Sequence, residues 1–122
     1  MSTYNKVKGT KWETDLEEYI NAAGARCRRL PRSGSRDIGD LSLLIRNDAA
    51  IIIEAKNVKN IAGGMADFLR QADVESDNYE DKYGNATVPV VVTKTRQKGT
   101  GEARVTMTLN TLLDLLRLVE AI

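Results

Sequence analysis

Two carboxylates and a lysine stand out by type and spacing: Asp40, then Glu54 and Lys56, in the stretch GDLSLLIRNDAAIIIEAK from Gly39 to Lys56. The run Ile51-Ile52-Ile53 suits a strand buried on both faces, and its continuation into Glu54-Ala55-Lys56 puts charge where charge is costly unless paired or bound. Side chains alternate along a strand, so Glu54 and Lys56 share a face. Leu41, Leu43 and Ile45 alternate in the segment before it, and Asn47-Asp48 between the two supplies turn chemistry. The hairpin so predicted gathers Asp40, Glu54 and Lys56 at one end of a sheet. Carboxylates in that arrangement can hold Mg²⁺ through oxygen, with waters completing the octahedron, while Lys56 orients a water for attack on a phosphate. The same spacing also arises by chance, and Glu54 with Lys56 equally describes an ion pair at a strand end.

Composition narrows the chemistry. The 122 residues suit one domain with one core, spanning 1–122, with a flexible N-terminus over 1–7. Histidine is absent, which excludes histidine general bases, Ser-His-Asp triads and most zinc sites. The single cysteine, Cys27, forbids an internal disulfide and reads as a small buried hydrophobe in a cytoplasmic protein. No apolar run reaches the ~20 residues of a membrane span, no h-region of a signal peptide is visible, and nothing resembles a nucleotide-phosphate loop. The net charge of +1 conceals an asymmetry. Residues 1–36 hold 8 Lys/Arg against 4 Asp/Glu, whereas residues 37–92 hold 5 against 10. A basic front and an acidic middle fit a polyanion above a metal site, although solvated surface charge gives the same pattern.

The elements that would position these groups follow from periodicity. Trp12, Leu16, Tyr19, Ile20 and Ala23 mark a helix from Lys8 to Ala23, with Thr10 as N-cap, Glu13 closing a capping box and Gly24 as C-cap. Glu13 therefore has a capping role open to it, and a position from which it can face the sheet. A short strand at 25–30 precedes the loop Pro31-Arg32-Ser33-Gly34-Ser35-Arg36, which is basic and rich in backbone amides for phosphate contact. A second helix is expected from about Met65 to Tyr79, with Gln71 free to point either way and 77–86 acidic and turn-rich. Thr87–Thr93 reads as a buried strand, with Pro89 marking an edge or a bulge. A basic loop with Lys94, Arg96 and Lys98 follows, then a strand at 103–108. The last helix is capped by Thr108 or Asn110, and its wide leucine face is buried within the monomer or forms a dimer interface. The order α-β-β-β-α-β-β-α implies an α/β fold with a central mixed β-sheet flanked by helices.

Lys8-Gly9-Thr10 with Glu13, then Arg32-Ser33-Gly34-Ser35, Asp40, and Ile52-Ile53-Glu54-Ala55-Lys56 together resemble the archaeal-type Holliday junction resolvases of the PD-(D/E)xK nuclease superfamily. The resemblance covers roughly the first half of the chain. It implies a restriction-endonuclease-like core and a Mg²⁺-dependent endonuclease, with Mn²⁺ able to substitute, that resolves four-way junctions by paired nicks as a homodimer. By position, Asp40 and Glu54 resemble the metal-ligating carboxylates, the Ala55 carbonyl a further ligand, and Glu13 the helix-borne carboxylate. Lys56 resembles the lysine that positions water, and Ser33 and Ser35 match the loop that engages the strand near the cut. Lys8, Arg29, Arg32, Arg36, Lys94, Arg96 and Lys98 would hold backbone phosphates. Two departures are visible: the motif's proline before aspartate is Gly39, and Asp37 competes with Asp40 for the ligand role. Beyond Lys56, a helix with Gln71 followed by a PVVVTK strand is more similar to phage and bacterial members, in which such a glutamine joins the site. A phage-encoded protein would work in the host cytoplasm. Forks, flaps, single-strand ends or duplex DNA are alternative substrates for the same scaffold, and a non-catalytic DNA-binding module is the alternative of another class.

Overall fold

The hairpin predicted around Asn47-Asp48 is present as β2 (Leu41–Arg46) and β3 (Ala49–Lys56), antiparallel, with Leu41 opposite Ile53 and Leu43 opposite Ile51. The structure, a computed structural model, describes residues 3–32 and 36–122; Ser33 and Ser35 lie outside the described residues. Before the hairpin come α1 (Thr3–Ala22) and β1 (Arg26–Arg29). After it come α2 (Ile61–Tyr83), β4 (Ala86–Thr93), a 3-10 turn at Thr100–Glu102, β5 (Arg104–Thr106) and α3 (Leu109–Leu118). Among the described residues the strands form one sheet in the order β1-β2-β3-β4-β5, antiparallel except for the parallel β3–β4 pair. The parallel pair requires a crossover, and α2 supplies it.

Alternation sorts the sheet's side chains onto two helices. Trp12 and Leu16 of α1 pack with Cys27, Leu41, Ile53, Val90 and Val92 in one cluster. The opposite parity, Ala50 and Ile52, packs with Leu30, Ile38 and Tyr79 of α2. Glu54 and Lys56 continue the Ala50–Ile52 parity, so their side chains fall on the α2 side, at the end of β3. Cys27 is buried, and burial pushes its thiol up to about 11, which makes it an inert core residue.

Three expectations are corrected. The first helix starts at Thr3, so residues 3–7 are helical and Thr10 lies within the helix; Glu13 is a buried mid-helix residue with no cap to close. The second helix extends well beyond 65–79 in both directions. Asn60 caps it by accepting from the Gly63 amide, and Gly84 ends it with φ +76°. The acidic segment at 77–83 continues the helix because its charges fall outward, while Ala72, Glu75, Ser76 and Tyr79 face in. Pro89 lies within the parallel ladder with β3, opposite Ile52, but β5 pairs only with Val91–Thr93, so that half of β4 has no second neighbour and tolerates a proline. At the C-terminus Thr108 is the cap, accepting from the Thr111 amide. No residue of α3 is fully buried: Leu113, Leu115, Leu116 and Leu118 are half-buried, while Leu109 and Leu112 are exposed.

Candidate active site

Asp40 precedes β2 and continues its ladder, donating its amide to the Ile53 carbonyl at 3.0 Å. Its Oδ2 accepts from the Ala55 amide at 2.9 Å, which pins the carboxylate against the end of β3 beside Glu54. Asp40 is 6 % exposed and Glu54 4 %. Asp37 is exposed and accepts from the Gly39 amide at 3.0 Å, whereas Asp40 is the buried aspartate of the two.

Glu13 enters from α1, 4 % exposed. Arg32, leaving the basic loop, bridges it to Asp40, with Nη2 2.5 Å from Glu13 Oε2 and 3.0 Å from Asp40 Oδ1. Arg29 of β1 adds a second contact to Glu13, at 3.5 Å. On the α2 side, Lys56 Nζ lies 3.6 Å from Glu54 Oε1, donates to Gln71 Oε1 at 3.3 Å and sits 5.0 Å above the Phe68 ring. Gln71 Nε2 then donates to Glu75 Oε1 at 3.1 Å. A continuous polar network thus joins Glu13, Arg32, Asp40, Glu54, Lys56, Gln71 and Glu75 across the end of the sheet. Glu75 was not singled out by the sequence. Its only signal is the four-residue spacing from Gln71, which places both on one helix face.

Burial controls the protonation of these groups. Desolvation, then the neighbouring Glu54, pushes Asp40 from 3.8 up to about 8. Desolvation and Glu75 push Glu54 from 4.5 up to about 8, against the pull of Lys56. Desolvation, then Asp37 and Asp40, raises Glu75 to about 7. Glu13 is also raised, by burial and by Asp40, with Arg32 and Arg29 opposing. For acids raised in this way the folded state binds more protons than the unfolded state between about pH 4 and about pH 8, so stability is complete below that window and is lost as pH rises through it. The metal-free protein should therefore melt about 5 °C or more lower near pH 8 than near pH 5, and Asp40→Asn should flatten the difference. Thermal melts in chelator at the two pH values check this; a melting temperature that rises with pH contradicts it.

The donors suit a hard divalent cation: carboxylate oxygens at hand, with Glu54 Oε2 buried and lacking a hydrogen-bond partner among the described residues. Among the described residues no three acidic side chains already converge on one cation position, and Arg32 holds the side of Asp40 that faces Glu13. The pair Asp40 and Glu54 fits the Mg²⁺ habit of one or two carboxylates plus waters and substrate oxygens.

The phosphate-binding expectations divide. Lys8, Lys11, Asp15, Trp12 and Lys94 are among the residues lining a cleft of about 360 Å³; Lys11 pairs with Asp15 at 3.1 Å, and Lys94 Nζ lies 5.9 Å above the Trp12 ring. None of Glu13, Asp40, Glu54 and Glu75 lines this cleft. Arg36 instead turns to α2, where it contacts Asn78 and pairs with Asp81 at 3.0 Å. Arg96 and Lys98 are exposed on the turn after β4. No helix among the described residues is long and apolar enough to cross a membrane.

No family model and no curated protein matches this sequence. Among solved structures, the fold is similar to that of Archaeoglobus fulgidus Hjc, a Holliday junction resolvase from an archaeal hyperthermophile. The TM-score is 0.52 and the identity 20 %, over 80 % of this chain and 70 % of that one. The chain thus has a single mixed five-stranded sheet flanked by helices, in the restriction-endonuclease-like fold it shares with that archaeal resolvase.

Proposed function

We propose that this protein is a divalent-metal-dependent endonuclease acting on branched DNA, with four-way junctions as its substrate and a homodimer as its working form. The observation that supports it most is the buried Asp40–Glu54 pair, with Lys56 two residues on, at the sheet end of a fold shared with a junction resolvase. Asp40 and Glu54 would hold Mg²⁺ or Mn²⁺, aided by the Ala55 carbonyl and by Glu13. When bound, the metal supplies Lewis acidity toward a phosphate oxygen and lowers the pKa of a water. Lys56, anchored by Gln71 and close to Glu54, supplies positive charge where the phosphate gathers negative charge. Arg32 pairs with Glu13 and Asp40, and its guanidinium would be free to hold a backbone phosphate if a cation took over their neutralisation. Lys8 and Lys94 would extend that charge along the cleft, with Arg29 beside Glu13, and Arg36, Arg96, Lys98, Ser33 and Ser35 would add further phosphate contacts. These contacts go to phosphates and hold DNA without reading bases.

The exposed apolar face of α3 supports the dimer, since a two-fold pair presents one site to each of two strands of a junction. A second reading, cleavage at forks or flaps, is favoured by one feature. The cleft combines the exposed Tyr4 ring with lysines, the combination that suits an unpaired strand. Labelled four-way junction, fork, flap, duplex and single-stranded DNA, compared in Mg²⁺, separate the two. Paired symmetrical nicks in the junction alone are the expected result, and preference for a fork or flap would replace the junction reading with the second one.

A further inference from the structure

Strand β1 is an edge of the sheet, and side chains of α1 close its outer backbone. Asn21 donates to the Cys27 carbonyl at 2.8 Å and accepts from the Cys27 amide at 2.7 Å, and Glu17 Oε2 accepts from the Arg29 amide at 2.7 Å. An edge sealed in this way needs no charged residues to deter a second strand. It nevertheless carries Arg26 and Arg28, both exposed, at alternate positions. Register sets Arg28 opposite Ser42 and Arg26 opposite Leu44 on β2, and opposed residues share a face. Ser42 and Leu44 in turn oppose Ile52 and Ala50, so all four lie on the α2 side. With Asn21 and Cys27 they line a hollow of about 200 Å³, and no acidic side chain among the described residues lines it.

Two groups of this hollow lack partners. The Arg28 guanidinium has no ion pair or hydrogen bond among the described residues, and Arg26 has one hydrogen bond, to Asn47 at 3.3 Å. Ser42 is 1 % exposed, and its hydroxyl makes no hydrogen bond among the described residues. A buried hydroxyl left unpaired is costly, and the guanidinium fork opposite it offers donors without an acceptor. A phosphate oxygen satisfies both, accepting from the hydroxyl and from the fork.

We propose that this hollow is a phosphate-binding site, with Ser42 at its floor and Arg26 and Arg28 at its rim. The phosphate comes from a DNA backbone or from a small phosphate free in solution. For its purpose the inference rests on the nuclease reading. Ser42 stands two residues beyond Asp40, about 7 Å along the strand, which matches about two phosphate steps of one DNA strand. A DNA arm gripped at β1 would thus be held close to the carboxylates without touching them. The site itself stands apart from that reading.

Two titrations of the full chain in chelator test it. In the first, inorganic phosphate is added to nitrogen-15-labelled protein and the arginine Nε–H signals are followed. Those of Arg26 and Arg28 should shift together and saturate, and Ser42→Ala should weaken the binding about threefold or more. In the second, affinity for a four-way junction is measured against salt. The double variant Arg26→Ala/Arg28→Ala should bind about tenfold or more weaker, with the slope of log affinity against log salt reduced by about 1–2. Arg28→Lys, which keeps the charge, should restore part of both. The arginines are exposed and Ser42→Ala removes only an unpaired hydroxyl, so these variants should fold; circular dichroism verifies this. Junction affinity lost in the double variant assigns the site to the DNA backbone, and a phosphate response with junction affinity unchanged assigns it to a small phosphate. Arg26 and Arg28 signals that ignore phosphate, with junction affinity and salt slope at wild-type values in the double variant, overturn the proposal. If Arg26 and Arg28 answer phosphate while the wild type cuts no DNA in Mg²⁺, the phosphate site stands and the nuclease reading falls. If the wild type cuts DNA and neither titration responds, the nuclease reading stands and the phosphate site falls.

Discussion

Asp40→Asn will remove DNA cleavage while making the metal-free protein more stable. The two effects share one cause. Asp40 is buried beside Glu54, and its pKa is pushed up to about 8 because a charge there is poorly solvated. An amide in its place carries no charge to desolvate, and its side-chain oxygen can still accept from the Ala55 amide that Asp40 accepts now. At about pH 8 the melting temperature should rise by several degrees, on the order of 1–2 kcal/mol of stability. Cleavage should fall by about a thousandfold or more, since the lost carboxylate is one of two that would hold the metal and stabilise charge at the phosphate. A melting curve and a single-turnover rate, measured on one preparation, check both halves. A variant that is destabilised and inactive would mean that Asp40 serves the fold. One that is stabilised and fully active would remove it from the site.

The second large effect is expected at Gly39, where the motif that the sequence resembles has proline. Its φ of +100° is closed to proline, whose ring holds φ near about −65°. Its amide donates to Asp37 Oδ1, a bond that proline cannot make. Any side chain would also collide, because a Cβ here would lie 2.5 Å from Ile52 Cγ2, in the tightly packed α2-side core. Gly39→Val should cost roughly 2–5 kcal/mol from strained backbone and overpacking together, and Gly39→Pro at least as much. Urea or thermal unfolding measures this. A Gly39→Pro protein as stable as wild type would show that the approach to Asp40 takes another path. The glycine is thus a local solution to delivering the aspartate to the sheet end, with the chain turning over Ile52.

What was legible in the sequence follows from which forces act locally. The β2–β3 hairpin could be read because alternation and an Asn-Asp turn are local signals, and they fix register strongly enough to place Asp40 beside Ala55. Asp40 is the buried aspartate of the two for the same reason: it continues the strand. The start of α1 was hidden because Tyr4 and Val7 are exposed and show no buried face, so no apolar period announces the first two turns. The extent of α2 was hidden because its inward face carries Glu75 and Ser76, and a helix that buries polar groups looks in sequence like a solvated turn. Arg32 bridging Glu13 and Asp40 is a contact between a loop, a helix and a strand, and no spacing rule reaches that far. Glu75 escaped notice for both reasons at once.

The proposed function assigns metal-dependent phosphodiester cleavage to the Asp40–Glu54 pair. The most direct measurement is incubation of an end-labelled four-way junction with the wild type and Glu54→Ala, each in Mg²⁺ and in chelator. Nicks are expected only for the wild type with metal, with Glu54→Ala still binding the junction but at least about a thousandfold slower in cutting it. Junction bound but uncut in both Mg²⁺ and Mn²⁺, or cutting by Glu54→Ala at the wild-type rate, would contradict it.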